Sequence, residues 1–380
     1  MTLGRRIEIG CLIALCVFLP LYEAPKNIAW LAYVVAWVVN RALARDFGGR
    51  WDFWDTLLCA WLVSGLVIAP FAGVHGSEWH AALDIVRYAT VGWMAKRSRL
   101  TDAEVLAVLA SLVIAMWIGL AMGYAQLWNG VSKTLELNSV GHVNHSAIYL
   151  AIMLGLCAGW LFSGRQRVLA AATCALVLVS LFVGESRAGV AVGLLTLGAL
   201  GLAWWPRSRV PALIAGVVLV VSVAALFAGA EVWQRHEQTV ATGQTFTYRE
   251  RAWSHALATW QRYPWFGAGM DNFSLTLRDE SRKFQDLLRH PHSLYLGALA
   301  ERGIVGAAPL AAVMVAWPFF LVRRRPAAAA NGGEWLLWSG AAAAWTVSAV
   351  AGLVNTTLHH EHGLLAVLLL GLWLGRAHRG

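Results

Sequence analysis

The sequence is short of charge. Aspartate, glutamate, lysine and arginine make up 13% of its 380 residues, about half the share found in a soluble globular domain. The deficit runs along the whole chain, which excludes a soluble domain set between apolar segments. Acidic residues are scarcer than basic ones, 21 against 30. Cysteines number five (Cys11, Cys16, Cys59, Cys157 and Cys174), and all fall within apolar runs. They read as small buried hydrophobes, leaving no disulfide framework and no cysteine metal site. No P-loop, dinucleotide fingerprint or nucleophile elbow occurs, nor a cluster of loop carboxylates suited to a divalent metal. Arg5 and Arg6 precede the first apolar run, but Leu19-Pro20-Leu21-Tyr22-Glu23 lacks a small-x-small cleavage pattern. That run therefore reads as a retained helix.

What fills the sequence is apolar surface: 58% of the residues are hydrophobic. A spanning helix needs about 20 apolar residues, and a bilayer requires its backbone to be hydrogen-bonded within the segment. Spans are expected near residues 7–22, 28–46, 55–74, 80–95, 103–126, 145–163, 167–184, 188–205, 210–230, 293–322, 334–354 and 362–375. The expected fold is an all-α integral membrane protein of about twelve transmembrane helices. Helices 1–9 occupy residues 1–230, a long, partly helical loop on the non-cytoplasmic side covers 231–292, and helices 10–12 fill 293–380. The fourth span is the weakest, because it carries Asp84 and Arg87, whose spacing of three suits a mutual ion pair on one helix face.

Alternate loops carry seventeen basic residues, among them Arg5, Arg6, Arg41, Arg45, Lys96, Arg97, Arg99, Arg207, Arg209, Arg323, Arg324, Arg325 and Arg376, whereas the short loops between carry Lys26, Lys133 and Arg187. The positive-inside rule puts the seventeen and both termini in the cytoplasm. The net charge of +9 thus reports topology, and nucleic acid is not an expected partner. Twenty-one tryptophans suit interfacial belts, as in Trp204-Trp205.

The loop of residues 231–292 is too long for a simple connection. Within it, Trp253, Ala256, Leu257 and Trp260 recur at helical spacing. Thr247 and Glu250 suggest a capping box at the start of that helix, and Pro264 its stop. It is expected to lie on the membrane surface. The loop holds eight basic residues: Arg235, Arg249, Arg251, Arg262, Arg278, Arg282, Lys283 and Arg289.

Several residues are open to two readings. Arg187, in Gly184-Glu185-Ser186-Arg187-Ala188-Gly189, is either a snorkelling or Glu185-paired arginine, or part of an anion site at the start of the eighth helix. Arg249 and Arg251 either form a solvated basic face or hold a phosphate at a helix N-terminus. In His290-Pro291-His292-Ser293, His292 or Ser293 caps the tenth helix, or a histidine at the boundary serves as general base. Gly141-His142-Val143-Asn144-His145-Ser146 and Asn355-Thr356-Thr357-Leu358-His359-His360-Glu361-His362 suit the polar lining of a sugar site. The second segment is rich in potential zinc ligands but lacks the helical i, i+4 pair with a catalytic acid.

With these motifs assembled, the sequence resembles the O-antigen ligases, which form a superfamily with O-antigen polymerases and protein O-oligosaccharyltransferases. The resemblance rests on the twelve spans, the long loop before the tenth, His292-Ser293 followed by Gly303 and Gly306, and the segment Arg249-Glu250-Arg251-Ala252-Trp253 with Tyr263-Pro264-Trp265-Phe266-Gly267-Ala268-Gly269 and Phe273. It is strongest over residues 180–310. It implies transfer of a glycan from undecaprenyl pyrophosphate to lipid A–core oligosaccharide on the periplasmic face, with inversion and without metal or nucleotide cofactor. By that resemblance His292 is the catalytic base. Arg187 and Arg249, with Arg251, bind the pyrophosphate; His142, Asn144, His145, His290, Ser293 and His360 are candidates for sugar or acceptor binding. Membrane lipids are the other expected partner. An O-antigen polymerase, or a twelve-helix transporter, is the alternative. Transport is disfavoured because the candidate polar residues gather on one face instead of at a midplane site between two similar halves.

Overall fold

The computed structural model describes residues 2–205, 244–277 and 290–377, and only the backbone of 244–248. The ninth expected span and the basic residues Arg207, Arg209, Arg235, Arg278, Arg282, Lys283 and Arg289 lie outside the described residues. The described chain forms α1 (Leu3–Phe18), α2 (Glu23–Ala44), α3 (Phe53–Ile68), α4 (Glu78–Arg97), α5 (Asp102–Trp128), α6 (Val143–Ser163), α7 (Arg167–Val183), α8 (Arg187–Trp204), α9 (Gln244–Arg262), α10 (Leu294–Arg323), α11 (Gly332–Ala351) and α12 (His360–Ala377). It contains no strand among the described residues. Among the described residues six helices are long and apolar enough to cross a membrane: α2, α3 with its 3-10 extension to Phe71, α5, α6, α8 and α10. The protein is therefore an all-helical membrane protein.

Helix ends follow local chemistry. Asp52 and Thr101 form capping boxes with Asp55 and Glu104, opening α3 and α5. Gly164 closes α6 with a left-handed residue. α6 and α12 are apolar on every side and lie at the centre: Ser146–Gly159 of α6 and Glu361–Leu374 of α12 are all buried. α11 packs against α6, with Gly155 and Gly159 facing Ala343 and Ser339, while α12 packs against α4 and α1 against α2. Small residues let helix backbones approach closely in lipid.

The two ends of the bundle differ. At one end Arg5 of α1 binds Glu104 of α5 at 2.9 Å, and Arg376 of α12 donates to Asp102 of α5 at 3.1 Å. The first helix therefore starts on the face where the last one finishes. On the same face Lys96 and Arg97 grip the fully buried Asp55 at 2.8 and 2.7 Å. At the other end lie Lys26, the loops before α6 and α12, and the start of α10. Asp84 and Arg87 pair at 3.3 Å on α4, as their spacing suggests.

Three expectations change. α9 is already helical at Gln244, so Thr247 lies inside it and does not cap it; nothing between Gly243 and Thr247 is a helix breaker. Trp204 is no belt residue. It is fully buried, donates to Ser339 Oγ at 3.0 Å, and packs on Trp335, while Trp205 is exposed. Cys59 is exposed, on the outward face of α3 with Val63 and Leu66. In a membrane protein that face is lipid-covered, so an apolar residue there needs no burial by protein.

Candidate active site

The site is built around a break in α10. Gly303 has φ +56° and ψ −164° in the middle of the helix, a backbone region that is essentially closed to residues with a Cβ. The break frees backbone groups of α10, and the segment after α9 takes them up. Ala268 and Gly269 N–H donate to the Ala300 and Glu301 carbonyls at 2.8 and 3.0 Å; Ile304 and Val305 N–H donate to the Pro264 and Trp265 carbonyls at 2.9 and 3.0 Å. On its other side the same segment accepts from Gly73 N–H and Val74 N–H at 3.0 and 2.9 Å. Asn272 adds bonds to the Val74 carbonyl and to Glu78, at 2.8 and 2.9 Å. The glycine spacing in the sequence is explained by this crossing. A Cβ on Gly303 would lie 2.4 Å from the Trp265 carbonyl, and one on Gly267 would lie 2.3 Å from the Glu301 carbonyl carbon.

The crossing fixes α9 against α10. The buried face of α9 is Ala252, Ala256 and Thr259, with Ala256 packed on Phe273 and Ala300. Leu257, expected in the apolar stripe, is exposed. Arg249 shares the inward face, three residues before Ala252, and is half-buried, while Arg251 is exposed. The alternation Arg249-Glu250-Arg251 is thereby resolved: Arg249 points inward. Burial lowers its proton affinity, and its charge is felt at His292.

His292 and Ser293 divide the two roles that the sequence left open. Ser293 is the N-cap of α10, accepting from Leu296 N–H at 3.4 Å and donating to the Gly352 carbonyl at 3.3 Å. Its hydroxyl is buried and engaged in these two bonds. His292 sits just before the cap at φ +49°. Burial, followed by His290, Arg249 and His142, pushes its imidazole down to about 4. At neutral pH it is uncharged, with a lone pair free to accept a proton.

Around it the structure gathers histidines from three segments. The His145 ring lies 4.9 Å from that of His360, 5.2 Å from His362, 6.1 Å from His142 and 6.2 Å from His359. His359 lies 6.4 Å from His290. His359 and His362 were not singled out from the sequence. Their spacing of three at a helix start was the available signal. Among the described residues no group of three or more histidine, cysteine or carboxylate side chains is set to hold a metal ion. The backbone here is strained: Leu358 and His360, like His292, have positive φ. Leu358 is the unusual one, since histidine tolerates this region better than leucine. The loop is held by Thr357 Oγ1, which donates to the Ser348 carbonyl at 2.7 Å, and by Leu294 N–H to the Gly352 carbonyl at 2.8 Å. Beneath the histidines, Lys26 of α2 is ion-paired to Glu361 of α12, and Ser139 donates to the same carboxylate at 3.2 Å.

The remaining candidates sit at helix starts. His142 caps α6, its Nδ1 accepting from Asn144 N–H at 3.2 Å. Asn144 Oδ1 accepts from Ser186 Oγ at 3.0 Å, and Ser186 caps α8. This bond ties the first residue of α8, Arg187, to the histidine-bearing end of α6.

Residues 172–311 match the family model described as O-antigen ligase. The match covers a little over a third of the chain and supports a likeness to the O-antigen ligase superfamily over that segment. The matched segment runs from α7 through the α10 break and includes Arg187, Arg249, Arg251, His290 and His292. The family points to glycosyl transfer of the O-antigen ligase or polymerase type, in lipopolysaccharide synthesis, on lipid-linked sugars. No curated protein matches the chain.

Proposed function

We propose that this protein is an O-antigen ligase of the bacterial inner membrane, with both termini cytoplasmic and the histidine-bearing end of the bundle facing the periplasm. The observation that carries the proposal is the placing of Arg249, a half-buried cation on α9, within electrostatic reach of the neutral His292 at the start of α10. A pyrophosphate-linked glycan needs a counter-charge as its anomeric carbon–oxygen bond breaks, and an arginine in a water-poor site supplies it.

Arg249, with Arg187 and Arg251, holds the pyrophosphate of an undecaprenyl-linked donor. The hydroxyl of a lipid A–core acceptor attacks the anomeric carbon from the side opposite the pyrophosphate. The new carbon–oxygen bond forms as the old one breaks, the configuration inverts, and undecaprenyl pyrophosphate leaves with the bonding electrons. His292 takes the hydroxyl proton. A bound pyrophosphate adds negative charge beside the imidazole and raises its proton affinity as the donor arrives. His142, Asn144, His145, His290 and His360 line the approach of the sugars.

The test is a cell lacking this protein. It should accumulate lipid-linked polymer and make only bare lipid A–core. Single repeat units still attached to the core would assign the protein to polymerisation. In purified protein, His292→Ala should slow ligation by about 10²–10⁴-fold; near-wild-type turnover would remove His292 from the mechanism.

A further inference from the structure

At the opposite end of the bundle from the histidines, a groove runs between α5 and the α6–α7–α11 group, with a volume of about 660 Å³. α5 packs closely along α1. Near its C-terminal end it is joined to α7 by the Tyr124 hydroxyl and Ser180 Oγ at 3.1 Å. Towards its N-terminal half it stands off from α6 and α11, leaving a wedge walled by Leu109, Val113, Trp117, Trp160 and Leu336. The volume lies within the range of about 300–1,000 Å³ typical of ligand sites.

The walls are apolar, yet the mouth is electropositive. It is formed by Ser163, Arg165, Gln166, Gly332 and Gly333. Arg165 is exposed there, and the Arg167 guanidinium lies over Gly164 beside it. Two helices also begin at this mouth. α7 starts from Gln166, whose side chain makes no capping hydrogen bond. α11 starts from Asn331, whose side chain accepts from Glu334 N–H and donates to Glu334 Oε1 at 2.7 Å. The local carboxylate is thus turned to the cap. Two arginines and two helix N-termini favour an anion, and the wedge behind them favours an alkyl chain.

We infer that this groove binds one anionic phospholipid from the leaflet opposite the histidine site, with its headgroup at Arg165 and Arg167 and an acyl chain between Trp117 and Trp160. The site is independent of the transfer reaction. Its place between α5 and the buried α6–α11 pair would make the lipid a filler that completes the packing of α5.

Full-length protein, delipidated in neutral detergent, is titrated with phosphatidylglycerol or phosphatidylcholine, and bound lipid is read by native mass spectrometry. One phosphatidylglycerol should bind more tightly than phosphatidylcholine. R165Q/R167Q should weaken phosphatidylglycerol by on the order of fivefold per arginine and leave phosphatidylcholine unchanged. A110W, which places a large side chain in the groove, should abolish the tight binding. Equal affinity for the two lipids, or phosphatidylglycerol binding unchanged in R165Q/R167Q, would overturn the inference. So would preferred binding of undecaprenyl phosphate, which would assign the groove to the polyprenyl substrate. The arginines are exposed, so their replacement leaves the fold intact and the test stands even where A110W does not fold.

Discussion

Gly303→Ala should disable the protein without touching any group proposed to meet substrate. The new Cβ would lie 2.4 Å from the Trp265 carbonyl carbon and oxygen and 2.6 Å from Gly267 N. These are backbone atoms, which cannot swing aside as a side-chain tip would. Holding alanine at φ +56° costs about 1–3 kcal/mol, and overpacking costs a further ~1–3 kcal/mol. The alternative is for the Pro264–Gly269 segment to move away. That breaks some of the four hydrogen bonds joining it to α10, each worth about 0.5–1.5 kcal/mol. Either route gives a loss of roughly 2–6 kcal/mol by these magnitudes. The second also carries α9, and with it Arg249, away from His292. The assay pairs thermal unfolding in detergent with ligation by purified protein. Gly198→Ala is the control, because nothing lies within 4 Å of a Cβ there. If Gly303→Ala melts and ligates like Gly198→Ala, the crossing does not hold the site together.

Other perturbations separate the parts of the site. Arg249→Lys should cost more ligation than Arg251→Lys, because Arg249 is the inward one and lysine lacks the two-pronged contact; equal losses, read as kcat/KM, would contradict that orientation. His292 is held near 4 instead of the usual 6.5, so the free enzyme should keep its base neutral well into mild acid, and the acid limb of kcat/KM should lie near pH 4. Arg249→Gln removes one of the causes of that depression, and should move the limb upward; a limb that stays put would show that Arg249 does not reach His292. The same depression leaves stability unchanged above about pH 6.5 and lowers it as pH falls towards 4, because the unfolded chain takes up the proton first. Finally, Glu361→Gln removes the buried counter-ion of Lys26 and leaves it only the exposed Glu23, 3.2 Å away, so the cost should approach but not exceed the roughly 3–5 kcal/mol of an uncompensated buried charge. Lys26→Met with Glu361→Gln should recover much of it, measured by unfolding; a double variant no better than the single would show that the pair is not the cause.

The helices were legible because the bilayer signal is local. Runs such as 103–126 and 145–163 carry their own length and apolarity, and the structure places α5 and α6 within two residues of them at each end. The fold of the loop was less legible. The start of α9 was set too late, at Thr247, because a capping residue inside a helix looks the same in sequence as one at its boundary. Of the expected stripe Trp253, Ala256, Leu257 and Trp260, Ala256 is fully buried, but its buried neighbours are Ala252 and Thr259, and Leu257 is exposed. Bulk marks apolarity, but small residues permit approach.

From sequence alone came the all-helical membrane class, the segregation of basic residues, and the superfamily, with Arg249, His292, Gly303 and Gly306 already in view. The first two are properties of composition and charge along the chain, and the last is a resemblance carried by those motif residues. Only the tertiary structure decided which of Arg249 and Arg251 faces inward, that Ser293 caps α10 while His292 does not, and that His359 and His362 join His145. It also gave Gly303 and Gly267 one shared purpose. Those outcomes depend on where α6, α9, α10 and α12 cross, and the crossing is set by side chains and backbone groups far apart in sequence that meet only when the bundle closes.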